Sequence, residues 1–236
     1  MAVRYHGRPA GAQNPRIGGV RGERENVGAT GEATPGRRRL EDNSDLTVPQ
    51  VPVISVTIAP RGRCYQLASH IGEQLARVRG SDPSHRPHLT LQGIYDGADL
   101  AVVSSCVQAV AAATRSFAVQ ISGVGILASP ADPNLQFLHF NVEKSAALLD
   151  LYSRVKQSLE ALGLRTYPYS PEDWVPHLTL ASGHWSRREL QDLLRHLDPE
   201  MPGCILPVVE LDVNHRTGTG AWHQVTSCPL ARAERD

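Results

Sequence analysis

The sequence predicts an α+β protein built from two similar lobes. Three observations carry that expectation. Apolar residues switch repeatedly between a two-residue and a 3.6-residue period, the marks of strands and helices. The order of elements in the first half, helix–strand–helix–strand, recurs in the second. A pentapeptide, Pro87-His88-Leu89-Thr90-Leu91, returns residue for residue as Pro176-His177-Leu178-Thr179-Leu180, as a duplicated unit would leave it.

Two regions follow from composition. Residues 1–48 are rich in Gly, Arg, Asn, Glu and Pro and nearly empty of large apolar side chains. Such a segment cannot bury enough surface to offset its ordering entropy, so it reads as a disordered extension. Arg37-Arg38-Arg39 lies in it; a solvated tail is a better reading of that run than an RNA contact. Residues 49–236 form the folded domain.

Within that domain the elements can be justified in order. Ile54, Val56 and Ile58 alternate with Ser55 and Thr57, a half-buried strand broken by Pro60 and Gly62. Tyr65 to Val78 aligns Leu67, Ile71, Leu75 and Val78 on one helical face and closes at Gly80. His88–Tyr95 is a second strand. A helix over about Asp99–Thr114 aligns Val103, Val107 and Val110. Phe117–Leu127 and Asn134–Val142 read as strands around a turn rich in Pro and Asp. Ala146–Leu162 places Leu148, Leu151, Tyr152, Val155 and Leu159 at helical spacing. A strand at Val175–Ala181 and a short helix carrying Leu190, Leu193, Leu194 and Leu197 come next. Two final strands fall near Ile205–Val213 and Ala221–Val225.

Charge narrows the function. The 236 residues hold 24 basic and 24 acidic side chains. The extension contributes eight arginines and six acids, which leaves 16 against 18 for the domain. A balance of this kind does not suit a surface that coats long nucleic acid or an anionic membrane. No apolar run approaches a membrane span, and no signal peptide is recognisable at the N-terminus, so a cytoplasmic protein is expected. Cys64, Cys106, Cys204 and Cys228 are widely spaced without a C-x-x-C pair, so reduced thiols are expected rather than a disulfide scaffold or zinc ribbon. The histidines outside the repeat show no metal-ligand spacing.

The repeated pentapeptide points to chemistry. On a strand, residues i and i+2 share a face. His88 and Thr90 therefore project together, with Leu89 and Leu91 turned to the core, and the same holds for His177 and Thr179 against Leu178 and Leu180. A pseudo-twofold relation between lobes would set two His/Thr pairs across a cleft. Imidazole takes and gives protons near neutrality, so one histidine can activate water while the other protonates a leaving alkoxide. Two threonine hydroxyls can donate to the non-bridging oxygens of a phosphate. This is in-line phosphoryl chemistry without a metal, and it suits a cyclic phosphodiester. A single His-x-Thr would more often be structural; two matched copies favour a functional pair.

At these residues the chain resembles the 2H phosphoesterase superfamily, which includes the bacterial 2′-5′ RNA ligase-like proteins. The resemblance rests on His88-Leu89-Thr90-Leu91 and His177-Leu178-Thr179-Leu180 and on their separation, and it covers about residues 50–228. It implies a bilobal α+β fold with antiparallel sheets around a central cleft. It implies His88 and His177 as acid and base, Thr90 and Thr179 as phosphate ligands, and no metal or nucleotide cofactor. It further implies substrates with 2′,3′-cyclic phosphates or 2′-5′ linkages, hence an RNA terminus or a small cyclic nucleotide as partner. The stretch from Tyr169 to Val175 also looks like the run-up to the second motif in some bacterial members.

Other residues are weaker candidates. Arg86 adjoins the first motif and is a candidate for neutralising phosphate. Tyr169 and Trp174, with Tyr167, are candidates for stacking on a base, with packing at the lobe edge as the alternative. Phe137 and His139 share one strand face, where core packing is the safer reading. The leading expectation is a metal-independent, monomeric phosphodiesterase that opens 2′,3′-cyclic phosphates. A 2′-5′ RNA ligase and a non-catalytic RNA-end-binding module are the alternatives. A ligase using an adenylated lysine is disfavoured, because neither Lys144 nor Lys156 stands in a K-x-D-G context.

Overall fold

The computed structural model describes residues 52–79, 86–95, 97–129, 132–196, 203–218 and 220–232. The predicted disorder of the extension, and Arg37 to Arg39 with it, lies outside these residues. Eight strands and four helices are present among them: β1 (Ile54–Ile58), α1 (Gly62–Arg79), β2 (Leu89–Ile94), α2 (Leu100–Ala112), β3 (Phe117–Ala128), β4 (Gln136–Val142), α3 (Ala146–Glu160), β5 (His177–Gly183), α4 (Arg187–His196), β6 (Cys204–Val208), β7 (Glu210–Arg216) and β8 (Trp222–Pro229).

Local chemistry accounts for the helix starts. Asp99 caps α2 by accepting from the Ala101 amide at 2.8 Å, and Ser145 caps α3 by accepting from the Leu148 amide at 3.3 Å. Ser186 and Glu189 form a reciprocal capping box at the start of α4. Gly62, with φ +55, turns the chain out of β1 into α1, a conformation that favours glycine.

The strands form one antiparallel sheet in the order β6-β3-β4-β5-β2-β1-β7-β8. Its halves, β6-β3-β4-β5 and β2-β1-β7-β8, are the two lobes. They meet at the motif strands β2 and β5, which pair at one register position only, Leu89 with Leu178. The two sheets expected from the resemblance are therefore joined through a short central seam.

Two expectations need correction. The predicted strand Ile205–Val213 is two strands, β6 and β7, parted at Val209 and assigned to different lobes. The continuous apolar run hid the break, because both strands bury residues. The lobes also interleave in sequence: α1 follows β1 of one lobe but packs on β5 and β6 of the other, while α3 packs on β2. One residue separates β6 from β7 although they lie in different halves of the sheet order, so the sheet has to curve until its margins approach each other. The contacts there agree with this. The Leu230 amide donates to Val209 O at 2.9 Å, and the Ser116 amide, at the entry to β3, donates to Ala231 O at 2.8 Å, just beyond β8.

A single apolar cluster lies between this sheet and the helices. It joins Ile71 and Leu75 of α1, Val103 and Val107 of α2, and Leu148, Leu151 and Tyr152 of α3 to Leu89, Leu91, Leu178 and Leu180 of the motif strands. The leucines of the pentapeptides thus anchor the seam, as their alternation required. No helix among the described residues is long and apolar enough to cross a membrane.

The thiol expectation is overturned. Cys64, in the first turn of α1, is disulfide-bonded to Cys204, the first residue of β6, with Cα atoms 5.9 Å apart. The partners are 140 residues apart, and only the packing of α1 across the β5–β6 lobe brings them together. No local spacing could have announced it. Cys106 and Cys228 are free thiols.

Candidate active site

The seam between β2 and β5 assembles the site. With Leu89 paired to Leu178 in antiparallel register, His88 comes opposite Thr179, and Thr90 opposite His177. All four lie on the face away from the leucines; Thr90, His177 and Thr179 are half-buried there. The register around that one pair sets each histidine across from the other lobe's threonine.

Both rings are held in the same way. His88 Nδ1 lies 2.8 Å from Arg86 O, and His177 Nδ1 lies 2.7 Å from Val175 O. A carbonyl only accepts, so each Nδ1 carries the proton and donates it. In the neutral ring the lone pair then belongs to Nε2. The contact is local to an extended strand start, and His139 makes the same one to Phe137 O with a leucine between.

The neighbours of the two halves differ. On β1, Thr57 stands opposite Thr90; its hydroxyl accepts from Asn214 Nδ2 at 3.0 Å. Beyond it, Asp212 of β7 pairs with Thr57 and is buried. Its carboxyl is pushed above the usual range, chiefly by burial, with Glu210 adding to the rise and hydrogen bonding to Ser227 and the Arg61 charge opposing it. On β4, the position opposite Thr179 is His139, and Asn141 stands opposite His177. His139 is 2% exposed. Its ring meets that of His177 edge to face, centroids 5.1 Å apart at 61°. Burial holds the His177 imidazole below its ordinary range and the His139 charge adds to that, while the bond to Val175 O partly offsets both. His139 is lowered as well, first by burial, against the raising influence of its contacts with Phe137 O and Asn141.

The weaker candidates sort differently. Arg86 is exposed at the edge of the motif, and it is its carbonyl that engages His88. Trp174 is a correction. It is 4% exposed and stacks on Tyr152, centroids 4.2 Å apart at 19°, so the indole is a core side chain with no face left for a base. Tyr169 is partly buried against the same cluster, and its carbonyl accepts from the Tyr152 hydroxyl at 2.9 Å. Tyr167 packs its ring over Gly93 of β2, where an added Cβ would come within 2.6 Å of it. Phe137 faces Ser182 in the β4–β5 pairing. Among the described residues no group of three or more His, Cys, Asp or Glu is placed to hold a metal ion. The residue that sequence reasoning undervalued is His139: its place on the face shared with Phe137 was visible, but not its contact with His177.

An antiparallel α+β fold with a duplicated His-x-Thr at its central seam defines a two-histidine phosphoesterase architecture. The sequence signature of the 2′-5′ RNA ligase superfamily matches residues 67–219, which span both motifs, and the chain belongs to that family. A search among curated protein sequences finds no match. Solved structures share the fold at low identity. The Thermus thermophilus protein TT0787 is 15% identical with a TM-score of 0.55, over 77% of this chain and 100% of that one. Escherichia coli LigT, crystallised with 3′-AMP, is 13% identical with a TM-score of 0.50, over 77% of this chain and 99% of its own. The same protein in its apo form gives 12% identity and a TM-score of 0.50 over the same shares.

Proposed function

We propose that this protein is a phosphodiesterase that opens 2′,3′-cyclic phosphates at RNA ends or on small nucleotides, with His88 and His177 as acid and base. The observation that carries the reading is the doubled tautomer lock. Each motif histidine donates Nδ1–H to the carbonyl two residues upstream and stands beside the other lobe's threonine. A cyclic phosphate held between Thr90 and Thr179 would have its non-bridging oxygens beside two hydroxyls and an Nε2 on either side. One Nε2 takes the proton of an attacking water while the other protonates the ribose oxygen that leaves. The step needs no metal and no nucleotide cofactor. That LigT was crystallised with 3′-AMP is in keeping with a nucleotide-sized ligand. The near-neutral domain also suits recognition of one phosphate group better than a long polyanion. A 2′-5′ ligase would run the same proton transfers in reverse, and the family's name keeps that reading second.

The test is turnover of a 2′,3′-cyclic nucleotide and of a cyclic-phosphate-ended RNA, with EDTA present. Wild type should be active, and His88→Ala or His177→Ala should each lose about 10²–10⁴ in rate. Equal turnover by both variants and wild type would sink the mechanism. RNA joining by the same protein, lost in the same variants, would favour the ligase direction.

A further inference from the structure

The two motifs are identical in sequence, so by themselves they give no direction to the reaction. Their surroundings do. The pseudo-twofold axis that exchanges β2 with β5 also exchanges β1 with β4, and thereby Thr57 with His139. One motif threonine is flanked by a hydroxyl, the other by a buried imidazole.

We propose that His139 is a positioning residue for His177, and that it makes His177 the proton acceptor of the pair and His88 the donor. The inference rests on the reading of His88 and His177 given above.

Three features hold His139 in place. Its Nδ1 lies 3.2 Å from Phe137 O, its Nε2 lies 3.2 Å from Asn141 Oδ1, and it is nearly excluded from water. A neutral imidazole donates once only, so with Nδ1–H given to Phe137 O the Asn141 amide must turn its NH₂ toward Nε2. The packing is close on the third side too. Gly125 of β3 pairs with His139, and a Cβ there would fall 2.5 Å from His139 Nε2 and 2.7 Å from the Asn141 amide. Only a glycine lets β3 approach this ring.

A ring fixed in this way acts on His177 in two respects. Its edge-to-face contact limits rotation of the His177 imidazole about the Val175 tether, which keeps Nε2 turned toward the seam. It also opposes charging both rings together, because two imidazolium rings 5.1 Å apart repel. Among the described residues, His139 on β4 is the ionisable group whose ring meets His177; Asn141 and Thr90, across from it in register, are neutral. The helices cover the other face with apolar side chains. In the resulting step, water attacks phosphorus as the bond from phosphorus to the ribose oxygen breaks. The water proton passes to Nε2 of His177, and His88 in its protonated form gives one to the leaving oxygen. Exchange with solvent restores both rings.

The test combines kinetics with a readout independent of turnover. On a 2′,3′-cyclic nucleotide, His139→Gln should lower kcat by about 10- to 100-fold, the scale of a misplaced catalytic group, with KM little changed. It should also move the acidic limb of kcat/KM to higher pH. His177→Ala should lose the acidic limb from its residual rate, and His88→Ala the alkaline limb. In parallel, ¹⁵N-histidine NMR of the wild-type protein, with signals assigned from the single variants, should find His139 and His177 neutral below the pH at which free imidazole charges. The His177 transition should rise in His139→Gln. An unmoved limb and transition in that variant overturn the inference, as does the reverse assignment of limbs to His88 and His177. If His139→Gln fails to fold, the wild-type titration decides: His177 charging at the free-imidazole value refutes it. Loss of turnover in neither His88→Ala nor His177→Ala would instead refute the phosphodiesterase reading, and the NMR titration would still report on the ring pair.

Discussion

Breaking the Cys64–Cys204 bond should be among the most destabilising changes available to this fold that leave the motif strands untouched. The bond closes a loop of 140 residues, from the first turn of α1 to the start of β6. In the chain-entropy treatment, a loop of this length restricts the unfolded chain by about 5 kcal/mol at 25 °C. For a domain of this size each kcal/mol moves the melting midpoint by about 2–4 °C, so reduction should lower it by about 10–20 °C. The assay is thermal and urea unfolding followed by circular dichroism, with and without dithiothreitol, together with Cys64→Ser and Cys204→Ser. Thiol titration of the purified protein under denaturing conditions establishes how many cysteines are free, two being expected, Cys106 and Cys228. The double variant should match the reduced protein. Four titratable thiols in protein prepared without reductant, or coincident melts in both conditions, would refute the reasoning. They would also restore the cytosolic, reduced state that the cysteine spacing suggested.

Three further outcomes follow from the same contacts. Thr90→Val and Thr179→Val each remove one hydroxyl donor from the seam and should lower kcat on a 2′,3′-cyclic nucleotide by about 10²-fold, with unchanged melting. Trp174→Ala empties a core position stacked on Tyr152 and should cost about 3–5 kcal/mol of stability by urea unfolding; a variant that melts like wild type would put the indole back in contention as a binding surface. Stability should fall as pH is lowered below about 6.5, the free-histidine value. His139 and His177 are both held below it when folded, so the unfolded chain takes up protons first. Their contribution is complete above the unfolded value and is lost as pH falls through the folded ones; His139→Gln should flatten that part of the profile.

Much of the domain was legible because its elements obey local rules. The periodicity of Leu148, Leu151, Tyr152, Val155 and Leu159 predicts α3 to within two residues of its end, and the alternation in each pentapeptide puts leucines inward and His/Thr outward, as β2 and β5 do. What stayed hidden depends on which distant segments become neighbours. The break at Val209 lies inside an apolar run, and only the partners of β6 and β7, β3 on one side and β1 on the other, separate them. Trp174 reads as a loop aromatic because nothing in its sequence neighbourhood announces that Tyr152 lies beneath it. The disulfide belongs with these, since α1 packs on the lobe that its own strand does not join.

The same dependence on neighbours decides what a duplicated motif can tell. In both copies of Pro-His-Leu-Thr-Leu the ring donates to the carbonyl two residues upstream, and to that extent the halves are interchangeable. A phosphodiester step is not symmetric: one nitrogen must begin without a proton and the other with one. Identical strands cannot supply that difference, so it has to come from the strands beside them. There Thr57 on β1 and His139 on β4 occupy matching places with unlike chemistry. The hydroxyl of Thr57 lies beside Thr90, whereas a buried imidazole meets His177 edge to face and discourages a second charge there. Duplication built the pair of histidines, and divergence at a neighbouring strand gives the pair its direction.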